Sequence, residues 1–116
     1  MQWDVSKQVG KKIAIRTKAK LLCFDIERIK YILCDGHHCT VYLVDNSEHR
    51  VTRSLKYFEE KLEGMGFIRS NRYTLVNKRY IYDVHLSNDK KTLHVKITKS
   101  EPLPVSKRNV HLFKDV

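Results

Sequence analysis

The segment Phe67 to Ile81, FIRSNRYTLVNKRYI, concentrates positive charge. It contains four cationic side chains and no carboxylate: Arg69, Arg72, Lys78 and Arg79. Arginine can form two hydrogen bonds with a guanine edge, asparagine can do the same with adenine, and lysine holds phosphates. Asn71 and Arg72 offer both base-reading types, and apolar neighbours such as Leu75 are expected to fix their backbone. The segment is a candidate polyanion-binding loop, and solvated surface is the alternative interpretation.

The whole chain is strongly basic, with 23 Lys and Arg against 13 Asp and Glu, a formal charge of +10 and a pI near 9.7. Such a domain is attracted to nucleic acid, an anionic membrane face or an acidic protein. The excess lies in turns and ends, since residues 1–20 carry six basic groups and only Asp4. Residues 45–63 carry four basic and five acidic groups. Recognition is therefore expected to use loops rather than a helix.

The run Cys34 to Cys39, CDGHHC, invites a zinc interpretation because zinc binds thiolates and imidazoles. Zinc requires four ligands on a tetrahedron, and residues that alternate across a tight hairpin cannot all turn inward. Buried cysteines beside a surface histidine are the favoured interpretation, and no metal site is predicted. Three cysteines without a secretory signal predict reduced thiols rather than a disulfide framework.

Enzymatic chemistry finds no support in the sequence. The chain contains no Gly-x-Ser-x-Gly elbow, no phosphate-cradling glycine loop and no His-Glu-x-x-His. We therefore expect no catalytic residues, no cofactor and no small-molecule substrate.

The chain is also expected to be cytoplasmic and not to span a membrane. Its longest apolar run is only a few residues, and its start, MQWDVSKQVGKK, lacks the apolar core of a secretion signal. A membrane-surface module based on Trp3 and the early lysines is a third alternative, although no amphipathic helix supports it.

Period-2 alternation predicts several short antiparallel strands. It is clearest in TLHVKI at 92–97 and KIAIR at 12–16. YIYDVHL at 80–86 is expected to pair with 92–97 through the polar turn SNDKK, and CTVYLVDNSEHRVTR at 39–53 predicts another hairpin.

One helix is predicted, at about 54–64, with a short helical turn in the last eleven residues. Ser54 can cap its start, Gly64 and Gly66 suit its end, and four apolar residues share one face: Leu55, Phe58, Leu62 and Met65. The fold class is thus mainly β, with about ten short strands and one central helix. We expect one domain at 11–116, preceded by a flexible lead-in or linker remnant at 1–10.

Several short motifs together resemble the LytTR family of bacterial DNA-binding domains. They occur in the family's order over roughly residues 11–113: Asp25-Ile26 with Ile29 and Tyr31-Ile32, Asp35-Gly36, Arg53-Ser54-Leu55, Phe67-Ile68-Arg69 with Leu75-Val76-Asn77, and Pro104-Val105-Ser106-Lys107-Arg108. Each motif is short, and their order makes the resemblance fairly specific.

The resemblance implies an elongated, multi-sheet antiparallel fold that serves as the output domain of response regulators in two-component systems. In that family, loops enter successive major grooves of a direct-repeat site in double-stranded DNA, and a second copy can occupy the adjacent half-site. By position, the resemblance points to His37, His38, Asn71, Arg72, Ser106, Lys107 and Arg108 as DNA-binding residues. The cations Arg69 and Lys78 and the neighbouring Tyr73 complete the predicted DNA-binding set. Arg72 and Arg108 are expected to read base edges, with Arg69, Lys78 and Lys107 near phosphates.

Departures from the family pattern leave some properties open. The family often has His, Arg and Ser where this chain has Asn71, Arg72 and Tyr73, so a base preference cannot be transferred. No segment resembles the phosphoacceptor domain that usually precedes this module, so the chain is either a separated output domain or one controlled by other means. An RNA or single-stranded nucleic-acid module remains the alternative, with Tyr42, Tyr73, Tyr80 and Tyr82 as candidate stacking residues.

Overall fold

The computed structural model describes residues 11–97 and 102–113 and confirms a mainly β architecture. The predicted lead-in at 1–10 lies outside these residues. The strands are β1 (Lys12–Arg16), β2 (Leu21–Asp25), β3 (Ile29–Asp35), β4 (His38–Leu43), β5 (Glu48–Val51), β6 (Phe67–Asn71), β7 (Thr74–Asn77), β8 (Ile81–Leu86), β9 (Leu93–Ile97) and β10 (Leu103–Val105). The molecule is elongated, with extents of 57 × 32 × 24 Å.

The strands form three antiparallel sheets. β1 pairs with β2, the central sheet has the order β5-β4-β3-β7-β6, and the third sheet has the order β10-β9-β8. The two predicted hairpins, β4–β5 and β8–β9, are both present. The central sheet has a hydrophobic core on each of its two faces.

Each face of the central sheet covers its own hydrophobic core. The first core joins the β1–β2 sheet and the helix to residues of the central sheet, and includes Ile13, Ile15, Phe24, Ile32, Val41, Phe58 and Leu62. The second core joins the other face to the β8–β9–β10 sheet and includes Tyr31, Ile68, Val76, Val95, Ile97, Val105 and Phe113. Period-2 alternation sends neighbouring side chains of a strand into different cores.

The single α-helix of the described residues, α1 (Leu55–Lys61), begins where the sequence predicts and ends earlier than 64. The Ser54 hydroxyl accepts a hydrogen bond from the backbone N–H of Tyr57 at 3.1 Å, which satisfies one of the free donors at the helix start. Gly64 and Gly66 follow with φ of +77° and +87°, conformations that glycine adopts readily. No helix in the described residues is long and apolar enough to cross a membrane.

The β3–β4 hairpin corrects the prediction of reduced thiols. Asp35 pairs with His38, so Gly36 and His37 form a two-residue turn, and Gly36 has φ of +70°. Cys34 and Cys39 are direct cross-strand partners with a Cα–Cα distance of 4.0 Å, and they form a disulfide. Cysteine count and compartment favour reduced thiols, whereas the tight turn places these two side chains opposite each other.

Candidate nucleic-acid interface

An open groove of about 1300 Å³ lies where four parts of the chain meet. Its walls are the start of α1, the β3–β4 hairpin, the β6–β7 turn and the segment 103–109. No carboxylate lies among the residues that line the groove. Four of the lining side chains are cationic: Lys56, Arg69, Arg72 and Arg108. A concave, cationic surface of this kind suits a polyanion.

The β6–β7 turn presents Arg72 at the groove. Asn71 pairs with Thr74, so Arg72 and Tyr73 form the tip of the hairpin, and both are exposed. The Arg72 guanidinium lies 5.3 Å from the centroid of the Tyr73 ring, which orders the cation without neutralising it. The side-chain oxygen of Asn71 accepts a hydrogen bond from the backbone N–H of Tyr73 at 2.8 Å. Arg72 is therefore the ordered and exposed cation of this turn.

Arg69 also lines the groove, but its guanidinium is engaged within the protein. Nη1 donates to Glu59 Oε1 at 3.0 Å, and Nη2 donates to the carbonyl oxygen of Arg72 at 2.9 Å. The carbonyl oxygen of Arg69 accepts from the side-chain amide of Asn109 at 3.0 Å. Arg69 thus connects helix α1, the β6–β7 turn and the C-terminal segment.

The C-terminal segment is hydrogen-bonded to the β6–β7 hairpin. Asn71 Nδ2 donates to the carbonyl oxygen of Pro104 at 2.8 Å, and the Ser70 hydroxyl donates to the same oxygen. The backbone N–H of Ser106 donates to the carbonyl oxygen of Ser70 at 2.9 Å. These bonds bring together two site segments that are far apart in sequence.

Ser106 immediately precedes the C-terminal 3-10 helix, Lys107–Phe113, and Lys107 and Arg108 are the first two residues of this helix. The backbone N–H of Asn109 donates to the carbonyl oxygen of Ser106 at 2.9 Å, and the buried ring of Phe113 anchors the far end of the helix in the second core. Lys107 and Arg108 are both exposed, and only Arg108 lines the groove. Arg108 and Arg72 therefore face one shared concavity.

The β3–β4 turn forms a neighbouring wall. Gly36 lines the groove, His37 is exposed at the tip, and His38 is half-buried. The carboxylate of Asp35 lies 3.8 Å from the Arg50 guanidinium. Within residues 11–97 and 102–113, no group of three or more His, Cys, Asp or Glu is arranged to hold a metal ion. The two histidines flank the groove.

Lys78 is not brought to the groove. It begins the 3-10 helix Lys78–Tyr80 at the opposite end of β7, where its backbone N–H donates to the carbonyl oxygen of Gly66 at 2.9 Å. It lies six positions after Arg72, which corresponds to roughly 20 Å along an extended strand. Arg79, beside it, lies 3.7 Å from the Glu27 carboxylate.

The candidate stacking tyrosines do not form a platform. Tyr42 stacks on the buried Tyr31 ring at a centroid distance of 4.4 Å. The Tyr80 hydroxyl donates to a backbone carbonyl. Tyr73 and Tyr82 are 50% and 65% exposed, but only Tyr73 lines the groove. A single exposed ring does not make the row of aromatics on which single-stranded bases stack.

Sequence reasoning missed Lys56, Ser70 and Asn109. Lys56 belongs to a helix whose charges nearly balance, and only its position shows that it lines the groove. Ser70 and Asn109 act through bonds to residues distant in sequence. No local pattern marks such contacts.

Comparison with known proteins confirms the resemblance inferred from the sequence. The family model of the LytTr DNA-binding domain matches residues 19–116. No curated protein matches the chain. Among solved structures, it is similar to the LytTr DNA-binding domain of a Bacillus cereus protein described as a methyl-accepting/DNA response regulator. The TM-score is 0.72 at 21% identity, over 91% of this chain and 96% of that one, which establishes the shared fold.

Proposed function

The chain belongs to the LytTR family of DNA-binding domains, and from this premise we propose that it reads a specific duplex sequence as the output domain of a bacterial transcription regulator. One observation carries the proposal: the β6–β7 turn with Arg72 and the C-terminal segment with Arg108 line the same groove, and no carboxylate lines it. Duplex DNA carries a dense row of phosphates, which can bind the cations of these loops. Its major groove exposes base edges that the loop side chains can contact.

Each side chain has a proposed role. Arg72 and Arg108 read base edges, because a guanidinium can donate two hydrogen bonds to guanine O6 and N7. Lys107 and Lys56 hold phosphates. Tyr73 keeps the Arg72 guanidinium ordered.

The remaining groups support or extend this reading surface. Arg69 and Asn71 hold the turn rather than read bases, since both Nη atoms of Arg69 and the side-chain amide of Asn71 already bond within the protein. His37 and His38, on the neighbouring hairpin, contact the duplex beside the groove. Ser106 holds the C-terminal segment against β6 through its backbone. Lys78 lies outside the proposed interface.

We further propose that two copies bind a direct repeat side by side, each occupying one half-site. Half-sites read from the same side of the duplex lie about one helical turn, roughly 10 base pairs, apart. A regulator of this kind acts on the chromosome, which places the proposed role in the bacterial cytoplasm.

Selection of bound duplexes from random-sequence DNA tests the proposal. Recovery of two similar half-sites one turn apart is the expected result. The selected duplex should bind more tightly than either of its single strands at the same salt concentration. Tighter binding to a single strand, or recovery of no shared sequence, would overturn sequence-specific duplex recognition.

A further inference from the structure

The β1–β2 turn is a second basic feature beside the groove. It spans residues 17–20 and carries Lys18 and Lys20, with Arg16 at the end of β1; all three side chains are exposed. No described residue from 11 to 24 carries a carboxylate. None of the ion pairs between described residues includes these three cations. Their charge is therefore available to an external anion.

The backbone of this turn is ordered by Thr17. Its hydroxyl oxygen accepts from the backbone N–H groups of Ala19 at 3.3 Å and Lys20 at 3.0 Å, and its hydroxyl donates to the carbonyl oxygen of Lys20 at 2.9 Å. The backbone N–H of Thr17 donates to the same carbonyl oxygen at 2.8 Å. Cations on an ordered turn lose less conformational entropy when they bind a ligand than cations on a flexible one.

Arg53 connects this turn to the wall of the groove. Its Nη2 donates to the carbonyl oxygen of Arg16 at 2.9 Å. Its own carbonyl oxygen lies 3.1 Å from Sγ of Cys39, at the base of the β3–β4 turn. The next residue, Ser54, already lines the groove. Arg53 thus lies between the basic turn and the proposed interface.

The opposite end of the central sheet has a different charge balance. There Arg79 lies 3.7 Å from the Glu27 carboxylate. The pKa of Asp45 is lowered chiefly by hydrogen bonds from Ser47, with a smaller contribution from the positive charge of Arg28. Carboxylates accompany cations at that end, whereas the β1–β2 turn has none.

We propose that the β1–β2 turn is a second DNA-contacting element, which binds the phosphate backbone beside the sequence read by the groove. This inference rests on the proposed function. Lysine is a compact charge that binds phosphate without reading sequence. The 57 Å length of the molecule corresponds to roughly 17 base pairs at ~3.4 Å per pair. A duplex that lies along the molecule can therefore extend past the groove of the protein and contact the β1–β2 turn. The turn extends the footprint and adds affinity for any sequence.

The test compares two variants that each remove two positive charges. Lys18→Gln/Lys20→Gln alters the turn, and Arg28→Gln/Lys78→Gln alters exposed positions at the opposite end of the sheet. Binding to the selected duplex and to a random duplex of equal length is measured over a salt series. The turn variant should reduce the slope of log affinity against log salt by about 2, since each phosphate contact contributes about 1. It should weaken both duplexes by the same factor, and the control variant should match the wild type.

Duplex length locates the contact. The selected duplex is shortened from one end and then from the other, with the base-read sequence kept intact. Shortening on one side should abolish the difference between the wild type and the turn variant, because the flanking phosphates are lost. A difference that persists on both shortened duplexes overturns a flanking contact.

The outcomes separate this inference from the proposed function. If the wild type selects a sequence and the turn variant keeps the full salt slope, only the inference on the turn is overturned. If the wild type binds no duplex, both are overturned. Vesicles that contain phosphatidylserine provide a further arm: binding that depends on Lys18 and Lys20, together with an unchanged DNA salt slope, assigns the turn to a membrane surface and overturns the inference.

Discussion

The side-chain amide of Asn71 donates a hydrogen bond to the carbonyl oxygen of Pro104 at 2.8 Å, 33 positions away in sequence. Its side-chain oxygen accepts from the backbone N–H of Tyr73 at 2.8 Å. One amide therefore fixes the turn that carries Arg72 and joins it to the segment that leads to Arg108. This is a positioning role, and it differs from the base-reading role that the residue type indicates in the sequence.

The positioning role predicts that Asn71 acts through Arg72. Asn71→Ala should weaken binding to the selected duplex more than to a random duplex, because the Arg72 turn loses its attachment to Pro104. In the Arg72→Ala background, the same substitution should have little further effect on this discrimination. Affinities of the four proteins, measured at one salt concentration, provide the double-mutant cycle. Independent effects of the two substitutions on discrimination would contradict a positioning role.

Arg72 itself should determine preference at one base pair. Arg72→Ala should weaken the binding free energy for the selected duplex by about 1 to 3 kcal/mol, because a bidentate contact with a base is lost. The variant should also lose its base preference at a single position of the site. Lys78→Ala is the matched control, since Lys78 lies at the other end of β7 and should leave preference unchanged. Binding to a panel of single-base variants of the duplex measures both effects. Equal losses on all sequences for Arg72→Ala would show that Arg72 contacts only phosphate.

The Cys34–Cys39 disulfide should make stability depend on redox state. The bond closes a loop with a sequence separation of 5, for which the chain-entropy relation gives about 2 kcal/mol. A reductant should therefore lower the free energy of unfolding by about this amount, as measured by urea denaturation. Cys34→Ser/Cys39→Ser should show no response to the reductant, whereas Cys23→Ser should respond like the wild type because Cys23 is free. A wild type that is indifferent to reductant would argue against the bond.

The start of α1 should depend on the Ser54 cap. Ser54→Ala removes the acceptor for the backbone N–H of Tyr57 and should lower the free energy of unfolding by about 1 kcal/mol. Ser54→Asp is the control, because aspartate also accepts at this position and should retain most of the stability. Urea midpoints at constant m-value measure the difference. Equal stability of the Ala and Asp variants would contradict a capping contribution.

Local pattern was sufficient to predict much of the fold. Alternation in 92–97 gave a strand whose Val95 and Ile97 are buried, and Ser54 with Gly64 marked the two ends of the helix region. These features depend on neighbours within a few residues, so a single sequence contains the information. The predicted helix is longer than α1, because the chain after Lys61 leaves the helix before it reaches Gly64.

The site was harder to predict because it depends on contacts between distant residues. Arg69 and Arg72 have the same residue type and lie three positions apart, yet one guanidinium is bonded to Glu59 and the other is exposed. Lys78 belongs to the same basic segment but lies at the other end of a strand. Composition locates the positive charge, whereas strand register and long-range hydrogen bonds determine which cations meet.

Tyr31 should make stability fall in strong alkali. Burial, assisted by Tyr42 and the Glu48 charge, raises its pKa from 10.0 to about 12. Below pH 10 the phenol is neutral in both states, so its contribution is fully present there; between pH 10 and about 12 the unfolded chain ionises first and stability is lost. The loss should be about 2 to 3 kcal/mol at ~1.4 kcal/mol per pKa unit. Urea unfolding across this window measures it, and tyrosinate absorbance follows the ionisation. Tyr31→Phe should flatten the fall, whereas Tyr82→Phe, at an exposed ring, should not; equal profiles for the two variants would contradict the assignment to Tyr31.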